Sequence, residues 1–219
     1  MQELMKVTGI ILKASPVGEY DRRVLILTKE MGKITAFARG ARRPGSRLVA
    51  AASPFVFGEF SIYPGRNAYS LKEAEVGNYF EKLREDVYGA CYGMFFLEVM
   101  DYYTRENNDE KQMLMLLYQS LRALQLPSLD RELVRCIFEI KALMLNGEYP
   151  GLPTEGSWKE STLYALHYIQ TSTIEKLYTF TVTEEILKQM QQLAEIYRNS
   201  CMDREMKSLE VLESLTGIS

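Results

Sequence analysis

Apolar and polar side chains alternate along the first third of the chain with the period of two that is typical of half-buried β-strands. Five such stretches predict five strands. One of them, Val24–Thr28, is a nearly continuous apolar run, which indicates a strand that is covered on both sides. The other four are predicted at Val7–Ala14, Lys33–Arg39, Phe55–Tyr63 and Ala68–Val76.

The connections between these strands narrow the choice of fold. Residues 16–23 are predicted to form a loop, and Lys29–Gly32 a tight hairpin connection in which Gly32 takes a positive φ. A long connection then separates the third strand from the fourth. Five short strands joined in this way favour a small barrel of the oligonucleotide-binding (OB) type. A five-stranded meander or an SH3-like barrel would give much the same pattern, so both stay open as alternatives.

From about residue 81 the apolar period changes to 3.6 residues, which predicts helices. They are predicted at about 81–105, 109–126, 130–147, 161–170, 183–199 and 202–215. Asp130 is expected to cap the third of these helices and Gly147 to end it. The predicted fold class is therefore α+β with two domains. A five-stranded OB-fold barrel at residues 1–80 precedes an all-α helical bundle at residues 81–219, which has an irregular insertion at about 148–160.

Charge is divided unevenly between these two parts, although the net charge of the chain is only −3. Residues 1–80 contain 12 Lys and Arg against 7 Asp and Glu, whereas residues 81–219 contain 14 against 22. Because a partner meets one domain or one face, the acidic total does not exclude nucleic acid as a ligand. The first domain is the part that could meet a phosphate backbone.

Positive charge is concentrated in the interval Gly32–Arg47, which contains no acidic residue. The interval begins as a strand that bears Phe37 and continues as a loop, because Gly40 and Pro44 break regular structure. Its basic residues are Lys33, Arg39, Arg42, Arg43 and Arg47. Cations on a flexible loop beside an aromatic-bearing strand suit single-stranded nucleic acid, whose bases can stack. A solvated surface loop is the alternative interpretation.

The sequence shows no motif that would indicate an enzyme: it lacks a Gly-x-Ser-x-Gly sequence, a phosphate-binding loop and a dinucleotide fingerprint. The single histidine, His167, lies in a helical context that favours a structural role. Three widely spaced cysteines encode neither a disulfide framework nor a zinc site, so we expect no metal and no cofactor. No apolar run is long enough to span a membrane and no signal peptide is visible, which favours a cytoplasmic protein.

An ordered series of matches in the first part of the chain resembles the RecO family of recombination mediators. It runs through Val7–Leu12, Gly18-Glu19, Asp21-Arg22, Leu27-Thr28, Gly32-Lys33, Ala38–Arg42, Ser46, Pro54 and Tyr63-Pro64-Gly65. Less specific matches follow at Glu98, Glu139, Gly147, Tyr149-Pro150 and Lys207-Ser208. The chain departs from the family in one place. Many members carry a four-cysteine zinc module after the Tyr-Pro stretch, and residues 151–182 contain no cysteine.

The resemblance implies a nucleoid-associated protein that binds single- and double-stranded DNA through the barrel and anneals complementary strands. It further implies work with RecR to displace single-strand-binding protein and load the RecA recombinase. The implied DNA contacts are Lys33, Arg39, Arg42, Arg43 and Arg47, with Arg22, Arg23 and Arg66 as outer candidates. Phe37 shares a strand face with Arg39 and is a candidate for base stacking, although a place in the barrel core is an equally good interpretation. The alternative function is a non-enzymatic scaffold whose acidic bundle recruits proteins and whose barrel binds RNA or a protein.

Overall fold

A computed structural model of the chain describes residues 3–216, in which the strands precede the helices apart from one helical turn between the third and fourth strands. The strands are β1 Met5–Val17, β2 Asp21–Thr28, β3 Gly32–Ala38, β4 Phe57–Tyr63 and β5 Tyr69–Asn78. The helices are α1 Leu48–Ala51, α2 Glu81–Glu85, α3 Val87–Tyr103, α4 Lys111–Ala123, α5 Arg131–Asn146, α6 Glu160–Thr171, α7 Glu184–Cys201 and α8 Lys207–Thr216, with a 3-10 turn at Ile174–Lys176.

The five strands close into a barrel in the order β1-β2-β3-β5-β4. β3 and β5 pair in parallel, and the other neighbouring strands pair antiparallel. Because consecutive strands pair in a meander and in an SH3-like barrel, the parallel β3–β5 pairing excludes both alternatives. The predicted OB-fold barrel is confirmed.

The apolar residues of the predicted period-two pattern point into the barrel and form its core. On β3, Ile34, Ala36 and Ala38 point into the core, where they meet apolar residues of the other four strands. On β2 the core residues are Val24 and Ile26, while Leu27 and Thr28 are fully buried as well. The prediction of a strand covered on both sides holds at the Leu27–Thr28 end of β2, whereas Leu25 is half-buried and Arg23 is exposed on the outer face. 

The first two strands are longer than predicted, and the loop predicted at residues 16–23 was wrong. β1 extends to Val17, which pairs with Asp21 at the start of β2, so only a three-residue turn beginning at Gly18 remains. Arg22 and Arg23 thus belong to β2, where pairing with both β1 and β3 holds the charged segment extended. At the other end of the barrel, β4 begins two residues later than predicted.

Only glycine suits position 32 of the β2–β3 hairpin, because the backbone has a positive φ there and another segment approaches it closely. The Gly32 φ of 66° confirms the predicted left-handed conformation. A Cβ at this position would also lie 2.2 Å from the Arg105 carbonyl oxygen. The segment after α3 pairs closely with the hairpin here: the Lys33 amide donates to the Arg105 carbonyl (2.9 Å), and the Asn107 amide donates to the Met31 carbonyl (2.9 Å).

The chain separates into two compact units. One comprises the residues up to Glu81 together with Leu97–Leu114, and the other comprises Lys82–Phe96 and the residues from Met115 onward. The division of the chain at residue 80 stays a prediction. The helix predicted at 81–105 is interrupted at Asp86, and the last helix begins at Lys207 rather than Met202.

Within the second unit, α5 is buried along most of its length and packs against α6 and α7. Every residue from Glu132 to Leu143 is buried. The Asp130 side chain accepts a hydrogen bond from the Glu132 amide (2.7 Å), and Gly147 ends the helix with a φ of 78°. Both predicted caps of this helix are confirmed.

Candidate nucleic-acid interface

Outward-facing residues of β1, β2 and β3 form rows across the barrel surface. In one row, Ser15 of β1 pairs with Arg23 of β2, and Arg23 pairs with Phe37 of β3. Phe37 lies on the opposite side of β3 from the three core residues of that strand, and its ring is half-buried. The interpretation that placed Phe37 in the barrel core was therefore wrong. The row sets a guanidinium group beside an aromatic ring on one face of the sheet.

This face carries no carboxylate in its two central rows. The first is Ser15, Arg23 and Phe37, and the second is Lys13, Leu25 and Thr35. Carboxylates collect instead on β4 and β5, at Glu59, Glu73 and Glu75. Lys6 forms a salt bridge with Glu59, and this interaction raises the Lys6 pKa. The carboxylates of β4 and β5 thus lie away from the two central rows of the β1–β3 face.

The loop that follows β3 is fastened to the β1–β2 turn. The Gly40 amide donates to Asp21 Oδ1 (2.7 Å), and the Arg42 amide donates to the Tyr20 carbonyl (2.8 Å). The Arg43 guanidinium group lies over the Tyr20 ring, 5.0 Å from its centroid, in a cation–π contact. The predicted loop is therefore held by specific contacts at the edge of the β1–β3 face.

The structure brings together most of the predicted contact residues. Arg23, Arg39, Arg42 and Arg43 are exposed on or beside the same face as Phe37. We call the surface formed by Lys13, Arg23, Phe37, Arg39, Arg42 and Arg43 the basic face. Arg66 is exposed in the β4–β5 connection. In OB-folds the β2–β3 face and the β1–β2 and β4–β5 connections bind oligonucleotides. Arg23 and Phe37 lie on that face and Arg66 in the β4–β5 connection, whereas Arg39, Arg42 and Arg43 follow β3, in a loop that is fastened to the β1–β2 turn.

Arg22 and Lys33 have partners within the protein. The Arg22 guanidinium group donates to the carbonyls of Val49 and Ala52 at the end of α1, at 2.9 Å each. The Lys33 ammonium group lies 2.7 Å from Asp101 Oδ1, and only 15% of the Lys33 side chain is exposed. Both charges therefore stabilise the first unit, and neither lies free on the basic face.

Arg47 lies apart from the basic face. It is exposed, and it lines a surface groove with Lys6, Lys72 and the carboxylates of β4 and β5. Three carboxylates balance the three cations that line this groove, so it offers a phosphate no net positive charge. Arg47 is consequently a weaker candidate for a DNA contact than the residues of the basic face.

Sequence reasoning missed Lys13 and Tyr20 as members or neighbours of this surface. Lys13 is exposed on β1, and its place in the predicted period-two pattern was the available signal. Tyr20 is 40% exposed, and the Arg43 guanidinium group lies over its ring. Its role depends on a loop packing that the local sequence does not encode.

Three further observations concern metal binding, the single histidine and membrane insertion. Within residues 3–216, no group of three or more His, Cys, Asp and Glu side chains is arranged to hold a metal ion. His167 is exposed on α6. Across the same described range, each helix is too short or too polar to cross a membrane.

Comparison with known proteins matches both parts of the chain to one family. Residues 1–80 match the family model described as the N terminal part of recombination protein O, and residues 84–156 match its C terminal part. Together these matches extend over most of the chain.

Three bacterial relatives, each named DNA repair protein RecO, illustrate the similarity. That of Alkaliphilus metalliredigens is 32% identical over 167 residues, which cover 73% of this chain and 68% of the relative. That of Acetivibrio thermocellus is 27% identical over 249 residues, covering 98% of each chain. That of Bacillus pumilus is 35% identical over 149 residues, covering 68% of this chain and 58% of the relative. The Acetivibrio alignment is longer than this chain of 219 residues, so that relative contains residues that this chain lacks.

The family models match the barrel and the first part of the helical region, and the Alkaliphilus relative is similar over two thirds of its own length. This chain therefore belongs to the RecO family of DNA repair proteins, which are non-enzymatic recombination mediators.

Proposed function

We propose that this protein binds single- and double-stranded DNA through the basic face. The observation that carries the proposal is the pairing of Arg23 with Phe37 in a row without a carboxylate, beside the exposed Arg39 and Arg43. Arginines neutralise phosphates, and an aromatic ring stacks on an unpaired base, so this combination suits a single strand laid along the surface.

We further propose that the protein anneals complementary strands and works with RecR to displace single-strand-binding protein and to load RecA. This part of the proposal is supported by membership of the family rather than by any geometry. An annealing protein must hold a strand through its backbone without reading its sequence. Phosphate contacts from exposed guanidinium groups meet that requirement.

The proposal is tested with the triple variant Arg23→Ala, Arg39→Ala, Arg43→Ala. We expect its affinity for a fluorescein-labelled oligo(dT) to fall more than tenfold at about 0.1 M salt. The slope of log affinity against log salt should decrease in magnitude by about 2, because each lost single-strand phosphate contact contributes about 0.7. Fluorescence anisotropy over a salt series measures both quantities.

A matched control removes the same amount of charge elsewhere. Lys82, Lys176 and Lys188 are exposed on α2, the 3-10 turn and α7, and their replacement by alanine should leave affinity and slope almost unchanged. Urea denaturation of both triple variants checks that the fold is intact. Wild-type affinity in the arginine variant would contradict the proposed DNA surface.

Competition between single-stranded DNA and RNA of equal sequence addresses the alternative of an RNA-binding scaffold. We expect DNA to displace labelled DNA at least as well as RNA does. Strand annealing, followed by the quenching of a fluorophore on complementary oligonucleotides, should slow in the arginine variant. If the arginine variant annealed strands at the wild-type rate, the result would show that annealing does not depend on the basic face.

A further inference from the structure

The row of outward residues that contains Arg23 and Phe37 continues across the barrel. Phe37 pairs with Ser70 of β5, and Ser70 pairs with Tyr63 at the end of β4. The residues next to these two in sequence, Leu71 and Ile62, belong to the barrel core, so Ser70 and Tyr63 point outward. Neither Tyr63 nor the basic-face residues line the barrel interior.

The spacing of the two aromatic rings suits stacking with separate bases. Neighbouring strands lie about 4.8 Å apart, so the backbones at Phe37 and Tyr63, which are two strands apart, are separated by about 10 Å. The residue between them, Ser70, has a small side chain that does not project between the two rings. Tyr63 is half-buried, and the Lys72 ammonium group lies over its ring, 5.7 Å from the centroid. A cation therefore lies next to each ring: Lys72 lies over Tyr63, and Arg23 is paired with Phe37 on the neighbouring strand.

We propose that Tyr63 is a second base-stacking residue, and that a single strand crosses the barrel at right angles to the β-strands, from Arg23 over Phe37 to Tyr63. This inference rests on the proposed DNA binding by the basic face. It assigns a role to a residue that lies outside the basic interval Gly32–Arg47 and that carries no charge.

The phosphate contacts of the arginines and the base stacking of the aromatic residues would contribute to the binding of different DNA structures. Phosphates are present in single and double strands alike, so the arginines contribute to binding of both. Bases in a duplex are paired and stacked on one another, so an aromatic side chain can stack on them only where a strand is unpaired. Tyr63 would therefore set the preference for single-stranded over double-stranded DNA, and it would do so for any base, because every base has a π-face.

The test compares Tyr63→Leu with Tyr63→Phe on oligo(dT) and on a hairpin duplex. We expect Tyr63→Leu to weaken single-strand binding about tenfold and duplex binding less than twofold, with an unchanged salt slope because no ionic contact is lost. Tyr63→Phe, which keeps the ring, should retain the wild-type preference. Tyr164→Leu is the matched control, since Tyr164 is a tyrosine on α6 that is 70% exposed.

Photocrosslinking of the wild-type protein to an oligonucleotide that contains 5-iodouracil provides a measurement that does not depend on a folded variant. We expect mass spectrometry to find crosslinks at Phe37 and Tyr63. Equal weakening of single and double strands by Tyr63→Leu, no weakening of either, or the absence of a crosslink at Tyr63 would overturn the inference. If the arginine variant also kept its affinity, the proposed function would fail as well; if only the arginine variant lost affinity, the basic face would stand without Tyr63.

Discussion

Lys33 and Arg23 lie on neighbouring strands and carry the same charge, but their surroundings differ. The Lys33 ammonium group contacts both the carboxylate and the backbone carbonyl of Asp101, with 15% of the lysine side chain exposed. Arg23 is exposed beside Phe37. Removing one partner of a largely buried ion pair leaves the other charge without compensation, so Lys33 is expected to support stability rather than phosphate binding.

We expect Lys33→Ala to lower the free energy of unfolding by about 1 to 3 kcal/mol, because Asp101 loses its charged hydrogen-bond partner. The affinity for oligo(dT) should change less than twofold. Urea denaturation and fluorescence anisotropy measure the two effects. Lys29→Ala, which removes an exposed lysine from the same hairpin, is the control for loss of charge. If Lys33→Ala had normal stability but weakened DNA binding, the result would show that Lys33 contacts DNA rather than supporting the fold.

At the scale of single elements, α5 stands out because its charged side chains are buried. Arg135 pairs with Glu132 (2.6 Å) and with Glu139 (3.1 Å), and Arg198 of α7 also pairs with Glu139 (2.7 Å). Tyr92 of α3 donates a hydrogen bond to Glu132. These bonds compensate for the cost of taking the charges out of water, and they fix which side of α5 faces α7.

This network predicts how the stability of the helical unit depends on pH. Burial acts to raise the pKa of Glu132, but the charge of Arg135 and hydrogen bonds from Tyr92 and Gln191 outweigh burial and hold that pKa below 4.5. A carboxylate with a lowered pKa in the folded state contributes stability above its unfolded pKa, and this contribution is lost as the pH falls through the folded value. The free energy of unfolding should therefore decrease as the pH drops below about 4.5.

Glu132→Gln should be less stable than wild type at pH 7 and should lose part of this acid sensitivity, because the group that titrates is gone. Urea denaturation between pH 3 and pH 7 measures both effects. Glu195→Gln, which changes an exposed carboxylate of α7, should alter stability by less than about 0.5 kcal/mol. An unaltered pH dependence in Glu132→Gln would show that the acid response arises elsewhere.

At the scale of the whole molecule, the features that local physics dictates could be predicted from the sequence. Gly32 needed its positive φ, Asp130 and Gly147 bounded α5, and alternation identified the residues inside the barrel. The contacts that decide the role of a charge could not be predicted, because their partners are distant in sequence. Lys33 meets Asp101, 68 positions away, and Arg22 meets carbonyls at the end of α1.

The same limit applies to the candidate site. The basic interval Gly32–Arg47 was visible as a run of charge, but its members separate in the fold: Lys33 is paired and Arg47 lies beside carboxylates. Arg23 and Phe37 become neighbours only through the register of β2 with β3. The distribution of charge over the barrel surface, rather than its sum along the chain, is therefore the property that bears on DNA binding.

Replacing Glu73 and Glu75 of β5 with glutamine tests this distinction, because it raises the net charge by two without touching the basic face. These residues lie about 10 to 16 Å along β5 from Ser70, beyond the screening length of about 8 Å at 0.15 M salt. We expect the affinity for oligo(dT) at that salt to change less than twofold, whereas removing Arg39 and Arg43 should weaken it more than tenfold. At about 0.01 M salt, where screening extends to about 30 Å, stopped-flow mixing should show faster association of the glutamine variant. A tenfold gain in affinity at 0.15 M salt would mean that net charge, and not the basic face, controls binding.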